Sequence, residues 1–253
     1  MKIGTKIALA VLGTASAVIA GLAGKEIHRI LNGEIHLPEG FTYTAHSGCE
    51  GTPDNSMEFL QKAVALGVPV LEVDVTVRND GTPVLLHAET AGNDEGLLFS
   101  DAMQYLSENS DTVRVNLDLK SVSGLEEVVR ILKKFKMQDR CFFTGVESNN
   151  SQTVKIDAPG IPYYLNAEIN IMRLEDEGYL RSIASEVHRS GAIGLNCNYK
   201  YASKKLVEVF HEEGLLVSFW TADNKIVMRN LLTMSPDNIT TRNPILLASL
   251  LAQ

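Results

Sequence analysis

From Phe41 onward, short runs rich in β-branched and aromatic residues alternate with longer stretches whose apolar positions recur every three to four residues. The first pattern predicts strands and the second helices, and their regular succession is that of βα units wound around a parallel sheet. Strands are predicted at 41–46, 68–77, 84–87, 112–120, 140–144, 161–166, 192–197, 215–220 and 238–241. Helices are predicted over 55–66, 124–135, 147–155, 177–190, 203–213, 225–234 and 244–252. Only Arg78 to Pro83 separates the second run from the third. A parallel crossover needs about a dozen residues, so these two runs form a hairpin around Asp80-Gly81. Setting the returning arm aside leaves eight strands, the number that closes a (β/α)₈ TIM barrel, whose chemistry sits at the carboxyl ends of its strands.

Ahead of this pattern lies a different one. Lys2 and Lys6 precede an uncharged stretch from Ile7 to Gly24, after which Lys25, Glu26, His28 and Arg29 restore polarity. As a helix it would reach roughly 27 Å, close to the hydrocarbon thickness of a bilayer. It predicts an N-terminal hydrophobic helix that anchors the chain in a membrane. The alternative is a cleaved signal peptide, with Ala15-Ser16-Ala17 as the small-residue site. The basic residues slightly favour a catalytic part outside the cytoplasm, secreted if the segment is cleaved. Residues 32–40 (NGEIHLPEG) carry turn formers and form a linker, so the chain divides into an anchor or signal segment plus linker over 1–40 and a barrel domain over 41–253.

Composition narrows the function classes. With 45% hydrophobic and 21% charged residues, the chain of 253 can bury a full core. Its net charge of −8, with no basic run interleaved with aromatics, disfavours a nucleic-acid groove. Cys49, Cys141 and Cys197 are odd in number and far apart, which excludes a disulfide framework and any CxxC site. GxSxG, HExxH, GxGxxG and P-loop motifs are all missing.

Candidate chemistry lies on two strands. In Leu71-Glu72-Val73-Asp74-Val75, alternation places both carboxylates on one face. Asn116, Asp118 and Lys120 alternate with apolar residues in the same way. Glu72, Asp74 and Asp118 then converge as oxygen-only ligands, a set suited to a divalent cation, Mg²⁺ or Ca²⁺, rather than zinc. The competing reading is a solvated acidic edge with a structural Asp118–Lys120 pair. His46 ends the first strand and His87 the returning arm. In the hairpin, residues whose numbers sum to about 160 face each other, which brings His87 over the acids. Two histidines there suit general acid and base catalysis, whereas His188 and His211 fall in helices as surface residues. Asp54 is expected to cap the first helix, with Asn55 orienting a site residue or binding substrate; Trp220, the only tryptophan, ends the seventh barrel strand as a pocket wall or as core.

These residues resemble the glycerophosphodiester phosphodiesterase family, whose pattern runs His-Arg-Gly, Glu-Asn, Glu-x-Asp, His-Asp and Glu-x-Lys. Here it appears as His46-Ser47-Gly48, Asp54-Asn55, Glu72-x-Asp74, His87-Ala88 and Asp118-x-Lys120, followed by Phe219-Trp220-Thr221 and Thr241-Arg242-Asn243-Pro244. The resemblance runs from about Tyr43 to Leu247. It implies a TIM barrel of the PI-PLC-like phosphodiesterase type and a cation on Glu72, Asp74 and Asp118. It implies too that His46 and His87 exchange protons and that Lys120, Ser47, Asn55 and Trp220 bind substrate. The activity implied is hydrolysis of deacylated phospholipids to glycerol 3-phosphate and an alcohol, with the glycerol 2-hydroxyl attacking first. Ser47 stands where the family has arginine, exchanging a charge-assisted contact for a neutral one. Two other readings accompany it: phospholipase D-like action on a lyso or intact phospholipid, signalled by an apolar mouth beside Trp220, and an inactive metal-binding barrel with a regulatory role.

Overall fold

The computed structural model describes residues 33–252. Ten strands are built: β1 (Thr42–Ala45), β2 (Val70–Val77), β3 (Pro83–Leu85), β4 (Leu97–Leu98), β5 (Arg114–Leu119), β6 (Cys141–Val146), β7 (Tyr163–Asn166), β8 (Gly194–Asn198), β9 (Leu216–Trp220) and β10 (Asn238–Thr241). β1 pairs in parallel with both β2 and β10, so β1, β2 and β5 to β10 close into a ring of eight parallel strands. β3 is the antiparallel arm, with Val75 opposite Leu85 and Thr76 opposite Val84, and β4 extends it.

Eight helices cover the outside: α1 (Met57–Leu66), α2 (Phe99–Asn109), α3 (Leu125–Lys134), α4 (Ser151–Asp157), α5 (Glu177–Ser190), α6 (Lys204–Glu212), α7 (Lys225–Leu232) and α8 (Pro244–Leu251). Their apolar stripes bury against the outward face of the sheet, in a core that includes the fully buried Phe59, Phe99, Phe143, Phe210 and Phe219. Inside the ring, Val70, Phe142 and Tyr164 form a separate small cluster toward the amino ends of the strands, with the Arg114 guanidinium 5.2 Å from the Phe142 ring. Above this plug the interior is polar. Asn196 donates to Asn166 at 3.0 Å, Ser218 donates to Asn238 at 3.2 Å, and Asn238 donates to Thr44 at 2.9 Å. Buried amides and hydroxyls are tolerated where they satisfy one another, and here they form the floor of the mouth.

Three expectations change. α2, which the pattern left unassigned between His87 and Thr112, supplies the helix that follows the hairpin and buries Phe99, Ala102, Met103 and Leu106. α1 starts at Met57 with Ser56 as its cap, not at Asn55 with Asp54, because Asn55 has φ 51°. α4 starts at Ser151, leaving 147–150 as a turn in which the Asn150 side chain accepts from the Glu147 N–H at 2.8 Å. The hydrophobic segment 7–24 lies outside the described residues. Among those described, no helix is long and apolar enough to cross a membrane.

Candidate active site

β1, β2, β5 and the hairpin arm deliver His46, Glu72, Asp74, Asp118, Lys120 and His87 to one cavity of about 880 Å³ at the carboxyl end of the barrel, with Trp220 on its opposite wall. Register explains the convergence. Glu72 is paired with Asn116 and Asp74 with Asp118, so inward positions of neighbouring strands stack side by side.

Glu72, Asp74 and Asp118 each offer an oxygen within 4.8 Å of the others. Oxygens around a hard cation, bound at about 2.0–2.6 Å, lie up to roughly 4–5 Å apart, so the triad fits Mg²⁺ or Ca²⁺. The charges also call for one. Glu72 is buried, and burial together with Asp74 and Asp118 pushes its carboxyl well above the usual range; the Ser47 N–H, 3.0 Å from Oε2, only partly opposes this. Burial would raise Asp74 too, but the Lys120 ammonium at 2.8 Å and the Asn55 amide at 2.7 Å hold it below its ordinary value. Lys120 also contacts Asp118, and the two carboxylates raise its pKa against the lowering effect of burial. The Thr144 hydroxyl lies 2.7 Å from the remaining Asp118 oxygen and 2.9 Å from that of Asn116.

The histidines differ. His46 Nδ1 is 2.8 Å from the Ser47 carbonyl, which can only accept, so the proton is on Nδ1 and Nε2 carries a lone pair. Burial lowers the His46 pKa, more than that carbonyl contact raises it. His87 Nδ1 is 3.0 Å from Asp74 Oδ1, and its side chain is 70% exposed against 18% for His46.

Of the residues expected to bind substrate, Ser47 and Asn55 do not line the cavity, and Asn55 takes the other role expected of it, orienting a site residue. Ser47 is wholly buried; its hydroxyl accepts from the Asn55 N–H at 2.5 Å, and its side chain does not line the cavity. Asn55 turns inward as well, its amide holding Asp74 Oδ2 while its carbonyl oxygen accepts from the Asp74 N–H at 2.9 Å. Both side chains thus sit behind the carboxylates, on the side away from the cavity. Gly48, at φ 77°, makes this turn feasible, since a Cβ there would stand 2.0 Å from Asp54 Oδ1.

Sequence reasoning missed the far wall. Asn166 and Asn196, polar residues near the ends of interior strands, carry the same alternation signal as the acids and line the cavity. Glu147, Asn149 and Asn150 line it from the turn expected to be helical. A second cavity of about 840 Å³ continues past Trp220 toward Glu168, Lys200 and Tyr201.

The model of the glycerophosphoryl diester phosphodiesterase family matches residues 46–94 and 104–246. A glycerophosphodiester phosphodiesterase of Caldanaerobacter subterraneus subsp. tengcongensis is 22% identical, over 79% of this chain and 93% of its own length. Solved structures share the fold. One is a glycerophosphodiester phosphodiesterase from Parabacteroides distasonis, with TM-score 0.67, 18% identity and coverage of 84% of this chain and 97% of that one. Another is an Oleispira antarctica phosphodiesterase in complex with the product sn-glycerol-3-phosphate, with TM-score 0.67, 20% identity and coverage of 86% and 98%.

Proposed function

Because the chain belongs to the glycerophosphoryl diester phosphodiesterase family, and is thereby a phosphoric diester hydrolase, we propose that it cleaves glycerophosphodiesters to sn-glycerol 3-phosphate and an alcohol, with His46 and His87 moving the protons. The observation that carries this reading is the carboxylate triad, opening with both histidines into one cavity. The sn-glycerol-3-phosphate held by the Oleispira antarctica phosphodiesterase supports the product assignment.

His46 Nε2, with its lone pair free, takes the proton of the attacking hydroxyl. His87, backed by the Asp74 carboxylate, gives a proton to the leaving alkoxide as its P–O bond breaks; water then opens the resulting cyclic phosphate with the two roles reversed, giving glycerol 3-phosphate and restoring both histidines. Lys120 uses two donors on Asp74 and Asp118 and keeps a third for a nonbridging phosphate oxygen, where charge accumulates. Glu72, Asp74 and Asp118 would hold a divalent cation, which when bound would supply Lewis-acid neutralisation of that charge. Asn166, Asn196 and Glu147 give the mouth a polar wall beside Trp220, which favours a water-soluble diester over an intact lipid. Residues 7–24 tether the barrel to a membrane, with the catalytic domain outside the cytoplasm; protease accessibility in sealed cells tests that orientation.

The reaction is tested with the full chain in detergent on glycerophosphocholine and glycerophosphoethanolamine, adding Mg²⁺ or Ca²⁺ back after chelation. Metal-dependent release of glycerol 3-phosphate, abolished in His46→Ala, is expected. No release with either ion from a folded sample that still binds metal would overturn the reading.

A further inference from the structure

Six large apolar side chains stand exposed among the described residues, and four of them, Ile171, Met172, Ile226 and Ile245, sit on one half of the catalytic rim. Ile171 and Met172, the latter 88% exposed, lie in the loop after β7; Ile226 and Ile245 lie in the first turns of α7 and α8. The same rim carries Lys200, after β8, and Lys225, which opens α7; both are exposed and neither has an ion-pair partner among the described residues. Of the four acids on these loops, Asp176 is paired with Arg173 and Asp223 accepts from the Arg242 backbone, while Glu175 and Glu168, the latter sharing the second cavity with Lys200, have no ion-pair partner among the described residues. In a chain of net charge −8, unpaired lysines interleaved with exposed aliphatics are the composition of a surface that meets anionic headgroups.

The path of the entering chain points the same way. α7 descends from the carboxyl end of β9 to the amino end of β10. The His36 carbonyl accepts from Ser235, below that helix, whereas the Gly33 carbonyl, three residues earlier, accepts from Arg229 at 3.0 Å, partway up it. Traced toward its N-terminus, the chain therefore climbs α7 toward Ile226. The eight residues between Gly24 and Gly33 span up to about 3.5 Å each, well beyond the roughly 6 Å that separates Arg229 from Lys225 along the helix. A segment anchored at 7–24 can thus hold this rim against the bilayer.

We propose that the rim formed by the loops after β7 to β10 docks on an anionic phospholipid surface, with Met172 and Ile226 entering the headgroup layer and Lys200 and Lys225 meeting its charge. This rests on the proposed tether and not on the hydrolytic reading. The test labels Met172→Cys with an environment-sensitive fluorophore. Cys49, Cys141 and Cys197 are buried, which pushes the Cys49 thiol up to about 11 and the Cys141 thiol up to about 12, so the introduced thiol is the one that reacts. Ile156→Cys, 64% exposed at the far end of α4, is the control.

The full chain is placed in vesicles of phosphatidylcholine and phosphatidylglycerol with a shallow lipid-borne quencher. Quenching of the Met172 label, with the Ile156 label unaffected, is expected. Replacing both lysines by glutamine should weaken docking by about fivefold for each, and omitting phosphatidylglycerol should do the same or more. Equal quenching of the two labels, no quenching of either, or failure of the chain to float with the vesicles would overturn the proposal. So would shielding of the Met172 label in detergent alone, which would assign the rim to a second copy or to segment 7–24. Glycerol 3-phosphate release in detergent, followed in parallel, separates failure of docking from failure of the hydrolytic reading.

Discussion

Ser47 and Asn55 act on the carboxylates from behind. The Ser47 N–H binds Glu72, its hydroxyl takes the Asn55 N–H, and the Asn55 side chain in turn donates to the Asp74 carboxylate and accepts from the Asp74 N–H. A serine in the place of the family's arginine is therefore part of the scaffold under the carboxylate triad and does not face the cavity. Ser47→Ala leaves a buried N–H without its acceptor and should cost about 1–3 kcal/mol in urea unfolding. The same variant should leave KM for glycerophosphocholine nearly unchanged, whereas a substrate-binding hydroxyl would raise it. Asn55→Ala removes both clamps on Asp74 and installs a less tolerant residue at φ 51°, so kcat should fall together with stability.

The eight barrel strands and the hairpin were legible because each keeps a clean pattern and because the Arg78–Pro83 gap is too short for a crossover. The acids were legible for the same reason, as period-two polar positions in strands that a barrel buries. α2 was not, although Phe99, Ala102, Met103 and Leu106 have helical spacing: Leu98 occupies its cap and no side chain bonds the first turn, so the usual start signal is missing. The inward turn of Ser47 and Asn55 was illegible for a different reason. It is set by hydrogen bonds to a strand 19 to 25 residues away, which local propensity does not encode. α2 nevertheless carries a full share of the core. Met103→Ala should destabilise the fold by about 2–5 kcal/mol, measured by urea melts, with KM unchanged because the residue lies behind the sheet. Gly48→Ala should unfold more readily as well, since neither φ 77° nor the Asp54 carboxylate beside it leaves room for a methyl group.

The barrel stores an electrostatic debt in its mouth, and its settlement is visible as a coupling of stability to pH and metal. With its pKa raised in the folded state, Glu72 binds a proton more tightly than in the unfolded chain, where a glutamate titrates near about 4.3. Its contribution to stability therefore declines as pH rises from that value through the folded one. Asp74, held low, acts in a separate window: it stabilises above the ordinary aspartate range, and that stability is lost as pH falls through its folded pKa. His46, lowered by burial, favours the fold more as pH rises and so tilts against Glu72. Comparison with Glu72→Gln isolates the glutamate. Metal-free wild type should lose stability relative to Glu72→Gln as pH rises above the roughly 4.3 of an unfolded glutamate toward the raised folded value. A divalent cation requires the ionised triad, so its stabilising effect should grow over the same range, reaching about 2.7 kcal/mol at a hundredfold excess over Kd. In Glu72→Gln the decline with rising pH and most of the metal effect should vanish, leaving the opposite tilt of His46. Thermal unfolding in chelator and in Mg²⁺ or Ca²⁺ across that range measures all three; a metal shift of constant size, shared by the variant, would place the ion away from Glu72.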